Sequence, residues 1–121
     1  MASDLVDRLI AYHAAIDRLD FAAIEAMFAE DAVYQSGGLG GAVVGRGPIM
    51  AGFRSYFDLY PDQVSEDSVV ERLDDRSVRS VWRLRAVNRL TGEVLARSGE
   101  EVVTFDAAGA IRRVEVRDAG P

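Results

Sequence analysis

Residues Ala11 to Ser36 read AYHAAIDRLDFAAIEAMFAEDAVYQS, and this stretch decides how the chain begins. Leu5, Leu9, Tyr12 and Ile16 recur at i, i+4, i+7 and i+11, the spacing of one helix face, with Val6, Ile10 and His13 on the adjoining stripe. Ser3 or Asp4 can cap this helix, because a short oxygen-bearing side chain satisfies a free N–H of the first turn. Asp20 holds the same position before a second helix. There Phe21, Ile24, Met27 and Phe28 face inward, Glu25 faces outward, and the spacing predicts an end near Glu30 and Asp31. A short strand is expected over Ala32 to Gln35, followed by a loop containing Gly37, Gly38, Gly40 and Gly41.

Beyond the loop, Gly47 and Pro48 open a third helix whose apolar face carries Ile49, Phe53 and Phe57, and Pro61 closes it. The hydrophobic period then falls from about 3.6 to 2, as strands require. Val64 to Leu73 is the first strand of this half. In the next, Val78, Ser80, Trp82, Leu84 and Ala86 alternate with Arg79, Val81, Arg83, Arg85 and Val87. Thr91-Gly92 and Asp106 to Gly109 mark turns before the strands Glu93 to Phe105 and Ile111 to Val116. Helices first and a four-stranded meander last define an α+β domain spanning residues 1–121, in which three N-terminal helices pack on an antiparallel or mixed sheet.

Composition narrows the chemistry. The 121 residues include no Cys and one His, and all 14 basic residues are Arg. Thiolate chemistry, disulfides, Lys Schiff bases and a zinc site of three His are therefore excluded, and no organic cofactor or metal is indicated. A net charge of −6 argues against a nucleic-acid partner, whose phosphates need a basic face. No apolar stretch is long enough to span a membrane, and the absence of Cys fits a cytoplasmic protein. With no Lys, the glycine loop lacks the GK[ST] ending of a phosphate loop.

The run from Ala11 to Ser36, the glycine loop with Gly45-Arg46-Gly47, and the turn Phe105-Asp106-Ala107-Ala108-Gly109-Ala110-Ile111 resemble the nuclear transport factor two-like superfamily. Within it the chain is similar to SnoaL-like polyketide cyclases and ketosteroid isomerases. The resemblance implies a curved sheet wrapped round the helices as a cystatin-like cone, an internal apolar pocket for a small apolar, polyketide-like or steroid-like molecule, and homodimerisation through the outer sheet face. It matches the isomerase's oxyanion Tyr to Tyr12 and its neutral acid to Glu101. It also puts Ser36 where the isomerase has its Asp base, and Phe28 and Phe53 where it has supporting tyrosines. Steroid isomerisation by that mechanism is disfavoured, because a serine without an adjacent base cannot take a carbon acid's proton near neutral pH.

Four residues are catalytic candidates. Tyr12 and Glu101 could donate to a developing oxyanion if Glu101 is buried and protonated; His13 or Asp118 could move the proton. Each has a plainer alternative. Tyr12 fits a core position, His13 a hydrogen-bonded core or interface position, and Asp118 a solvated place at the strand's end. Glu101 turns outward if Gly99 bulges its strand. Trp82, Phe28, Phe53, Ser36, Arg97, Val114 and Val116 are candidate ligand contacts. Arg97 either grips a ligand carboxylate or forms a cross-strand ion pair. Two functions stay open: a cofactor-independent isomerase, dehydratase or cyclase, and a non-catalytic binding or dimerisation module.

Overall fold

The computed structural model describes residues 4–36 and 41–119. Ser3 and most of the glycine loop lie outside the described residues. Helix α1, Leu5–Asp17, starts at Asp4, whose side chain accepts from the Val6 N–H at 3.0 Å, and it buries Leu9, Tyr12 and Ala15. Asp20 caps α2, Phe21–Met27, by accepting from the Ala23 N–H at 3.1 Å.

Here the structure departs from the periodicity reading. Helix α2 stops at Met27, and the chain is already extended at Phe28, where strand β1 (Phe28–Ser36) begins. Phe28, Ala32 and Ser36 are its buried residues. A spacing of four satisfies a helix and, as twice two, a strand, so the apolar pattern could not separate them. The partner decides: Phe28 pairs with Ile111, and Val33 to Gln35 pair with Arg113 to Glu115.

Strand β2, Gly41–Val44, pairs antiparallel with β1. Gly45 follows at φ +100°, in the left-handed region, and caps α3, Arg46–Leu59, which buries Ile49, Met50, Phe53 and Phe57. The meander comprises β3 (Val64–Arg72), β4 (Ser77–Val87), β5 (Val94–Phe105) and β6 (Ile111–Asp118). Its last strand turns back beside the first, so the sheet runs β2-β1-β6-β5-β4-β3 with β1 and β6 parallel. This is a six-stranded mixed sheet. Leu9, Tyr12, Ile24, Ile49 and Phe53 from the helices meet Val78, Val103, Phe105, Ile111 and Val114 from the sheet in one core.

Two details position the site. The β4–β5 register is unbroken from Ser77↔Thr104 to Val87↔Val94, so Gly99 makes no bulge and Glu101 faces inward, 6% exposed. Gly99 instead permits a close approach: a Cβ there would lie 2.1 Å from the Arg117 carbonyl oxygen and 2.9 Å from the Asp118 Cα. On the outer face the arginines meet acids of neighbouring strands. Arg79 contacts Glu71 and Glu100, each at 2.9 Å, and Arg83 contacts Glu66.

Candidate active site

A cavity of about 120 Å³ opens between the helices and the sheet. Helices α1 and α3 supply His13, Ile16, Phe53, Tyr56 and Phe57; β1 supplies Tyr34 and Ser36. Asp67 on β3, Trp82 on β4, Arg97 and Glu101 on β5, and Val116 on β6 stand on the sheet side, with Gln63, Ser65 and Leu84 alongside.

His13 organises the polar part of this wall. Its Nδ1 lies 2.7 Å from Asp67 Oδ2 and its Nε2 lies 2.6 Å from Glu101 Oε1. Burial alone would push the imidazole's pKa down; the charge of Glu101 and the hydrogen bond to Asp67 outweigh it and lift the pKa to about 10. At neutral pH the ring is an imidazolium that donates both N–H groups, one to each carboxylate. A group already protonated cannot serve as a base, which removes His13 from the proton-accepting role anticipated above. Glu101 accepts from His13 at Oε1, rather than donating there as a neutral acid would.

The phenols divide differently from the sequence expectation. Tyr12 is wholly buried and does not line the cavity; its hydroxyl stands near Tyr34 but makes no hydrogen bond of ordinary geometry. Burial and the nearby Tyr34 and Glu101 hold its pKa well above the usual phenol value. Tyr34 does line the cavity, and burial followed by the Glu101 charge raises its pKa as well. Both phenols thus stay protonated, and of the two only Tyr34 lines the cavity.

Arg97 is engaged. Its Nη2 and Nε donate to the two carboxylate oxygens of Asp118 at 2.5 and 3.2 Å, and its guanidinium carbon sits 5.5 Å above the Trp82 ring. Asp118, about half exposed and outside the cavity lining, is the counter-ion of Arg97 rather than a second proton acceptor at the cavity. The expected alternative of a cross-strand ion pair is the arrangement found.

Of the other sequence candidates, Trp82, Phe53, Ser36 and Val116 line the cavity, whereas Phe28 and Val114 lie in the core behind it. Phe28 packs edge-on against Tyr12 at 5.7 Å between ring centroids and tilted against Phe53 at 6.2 Å. Sequence reasoning missed Asp67, Tyr34 and Tyr56. Alternation along β3 puts Ser65 and Asp67 on the face opposite Glu66, but with no apolar stripe on this strand the sequence does not say which face is inward. Among the described residues no group of three His, Cys, Asp or Glu side chains is disposed to hold a metal ion. Nor, among them, is any helix long and apolar enough to cross a membrane.

Fold and site together define a helix-and-sheet scaffold with a small cavity whose polar wall is an acid–imidazolium–acid cluster. The model of the SnoaL-like domain matches residues 9–114, and the chain belongs to that family, within the nuclear transport factor two-like superfamily. Among solved structures it is similar to SalBIII, an epoxide hydrolase/cyclase-like enzyme in pyran ring formation in the polyether salinomycin. That pair has a TM-score of 0.80 and 21% identity over 94% of this chain and 90% of the other. It is also similar to Rv0760c of Mycobacterium tuberculosis, solved with estradiol-17β-hemisuccinate (TM-score 0.78, 14% identity, 88% and 86% covered). A ketosteroid isomerase-like protein of Erwinia carotovora atroseptica gives a TM-score of 0.69 at 23% identity, with 93% and 92% covered. At these identities the likeness concerns the fold. A comparison with curated proteins finds no match.

Proposed function

We propose that this protein is a cofactor-independent acid–base enzyme of the isomerase, dehydratase or cyclase kind, acting on a small, largely apolar molecule that carries oxygen. The observation that supports this most strongly is His13 bridging Asp67 and Glu101 at the cavity wall. Within an ordinary core, two carboxylates this close would repel and lose hydration; an imidazolium between them makes the pairing stable at a place where a guest can reach it. With Oε1 held by His13, the second oxygen of Glu101 is the proton acceptor. Tyr34, whose hydroxyl keeps its proton, donates to the substrate oxygen on which negative charge develops. Glu101 then returns the proton to a different carbon or to a departing oxygen, which completes an isomerisation or an elimination. If the proton taken is that of a hydroxyl attacking an epoxide carbon, the new C–O bond forms as the epoxide C–O bond breaks, and Glu101 passes the proton to the oxygen released, which closes a ring.

The pyran-forming and isomerase-like neighbours support this range of proton-transfer chemistry. The reading also takes the protein to be cytoplasmic, in keeping with its lack of Cys, and homodimeric, as the superfamily resemblance implies.

The test is turnover of a panel of cyclic ketones, hydroxy ketones and epoxy alcohols by wild type and Glu101→Gln. Removing a general base costs about 10²- to 10⁴-fold in rate. Tyr34→Phe should lower kcat while leaving the affinity for substrate largely intact, and circular dichroism should show both variants folded. Turnover of the best substrate by Glu101→Gln at the wild-type rate would refute the mechanism. Ligand binding with no turnover anywhere in the panel would favour a non-catalytic binding module.

A further inference from the structure

The cavity holds charges of both signs, and their pairing restricts what can enter. His13 is shared by Asp67 and Glu101 in the cavity wall, and Arg97 is taken by Asp118 just outside it, so the two cations of the wall are matched by three carboxylates. Among the described residues lining the cavity, no cation is left over for an anionic guest. Arg97 would be the natural receptor for a carboxylate, since its forked N–H groups match one. Those groups already grip both oxygens of Asp118, at 2.5 and 3.2 Å, while the guanidinium rests on Trp82.

The pairing is built into the backbone. Gly99 pairs with Asp118, and its missing Cβ is what lets the end of β6 approach β5 so closely. The Ala119 N–H donates to the Ser98 carbonyl at 2.8 Å and fixes the chain just beyond. Arg97 lies two residues from Gly99 on the same strand face, so the close approach delivers the Asp118 carboxylate to the guanidinium.

We infer that Asp118 is a specificity-determining residue: by keeping Arg97 occupied, it makes the cavity accept uncharged ring molecules and refuse carboxylates. The inference rests on the cavity being the substrate site. A cavity of about 150 Å³ lined by apolar side chains can hold benzene, so the 120 Å³ here sets the scale of the enclosed part of the guest at a single ring.

Trp82, the only tryptophan of the chain, stands in the cavity wall and reports binding directly. Its emission, excited at 295 nm, is titrated at pH 7 with cyclohexanone and with cyclohexanecarboxylate, using wild type, Asp118→Asn and the double variant Asp118→Asn/Arg97→Gln. For wild type the ketone should bind at least tenfold tighter, as expected when an added anion meets a cluster whose carboxylates outnumber its cations. Asp118→Asn should raise carboxylate affinity by about tenfold or more and leave ketone affinity within about twofold; the double variant should lose the gain. Carboxylate binding to wild type on a par with the ketone overturns the inference alone, as does an Asp118→Asn variant with an unchanged ratio. Failure of both probes to bind any of the three forms overturns the cavity reading and the inference with it.

Discussion

Raising the pH should dismantle the cluster at His13, and the size of the effect follows from its surroundings. The imidazole has a pKa of about 10 in the folded chain against an ordinary value of 6.5. At roughly 1.4 kcal/mol per pKa unit the difference is on the order of 5 kcal/mol, an upper figure for a ring about one-fifth exposed. Domains of this size are stable by about 5–15 kcal/mol, so the cluster is a substantial share. A pKa raised by folding means that the native state keeps a proton the unfolded chain releases first. The stabilisation is therefore complete below pH 6.5, declines as the pH rises and is spent near pH 10. The chain has one histidine, so its ring resonances can be followed by NMR without assignment ambiguity, alongside urea unfolding at pH 6, 8 and 10. Glu101→Gln removes the largest of the contributions that raise this pKa and should bring it down by about 1–3 units. A ring that titrates near 6.5 in the folded wild type, or a stability that does not change between pH 6 and 10, would refute the imidazolium bridge.

The remaining predictions concern packing. Tyr12→Phe deletes a buried hydroxyl that lacks a regular hydrogen bond; urea unfolding should show stability unchanged or raised by up to about 1 kcal/mol, whereas a loss above 2 kcal/mol would show that the hydroxyl is bound. Gly99→Ala drives a methyl group into the β6 backbone and should cost about 2–3 kcal/mol, with wild-type stability contradicting the close approach. Phe53→Ala removes a ring that touches Phe28, Tyr34 and Phe57 and should cost about 3–5 kcal/mol by the same measurement.

Much of the fold could be read from local patterns, because each pattern had one buried face to mark it. Leu9 and Tyr12 on α1, Phe53 and Phe57 on α3, and the alternation from Val78 to Ala86 all identify their elements. The start of β1 at Phe28 was hidden, since its pairing with Ile111 joins residues remote in sequence. The parallel β1–β6 pair was hidden for the same reason. At the site, Glu101 and His13 were visible as candidates, yet their roles depended on a third residue. Asp67 sits on β3, an edge strand whose polar residues fall on both faces, so nothing in its pattern marks an inward side. Arg97 and Asp118 were each visible as a possible functional group, and only the turn that brings β5 against β6 shows that they neutralise one another.

Among the described strands, the last in chain order occupies the middle of the sheet. Strand β6 separates β1 and β2 from β3, β4 and β5, so the hydrogen-bonded ladder is one piece only through residues 111–118. A nascent chain can coil its helices and zip its hairpins early, but its ladder of strands stays in two pieces until Ile111 meets Phe28. Bringing those distant residues together carries a loop-closure cost that local contacts cannot offset in advance, which makes this closure a slow, late step of folding. Until it occurs, the flanks of β1 and β5 that β6 will cover are open to pairing with other chains, and a stalled or shortened product would be prone to aggregate there.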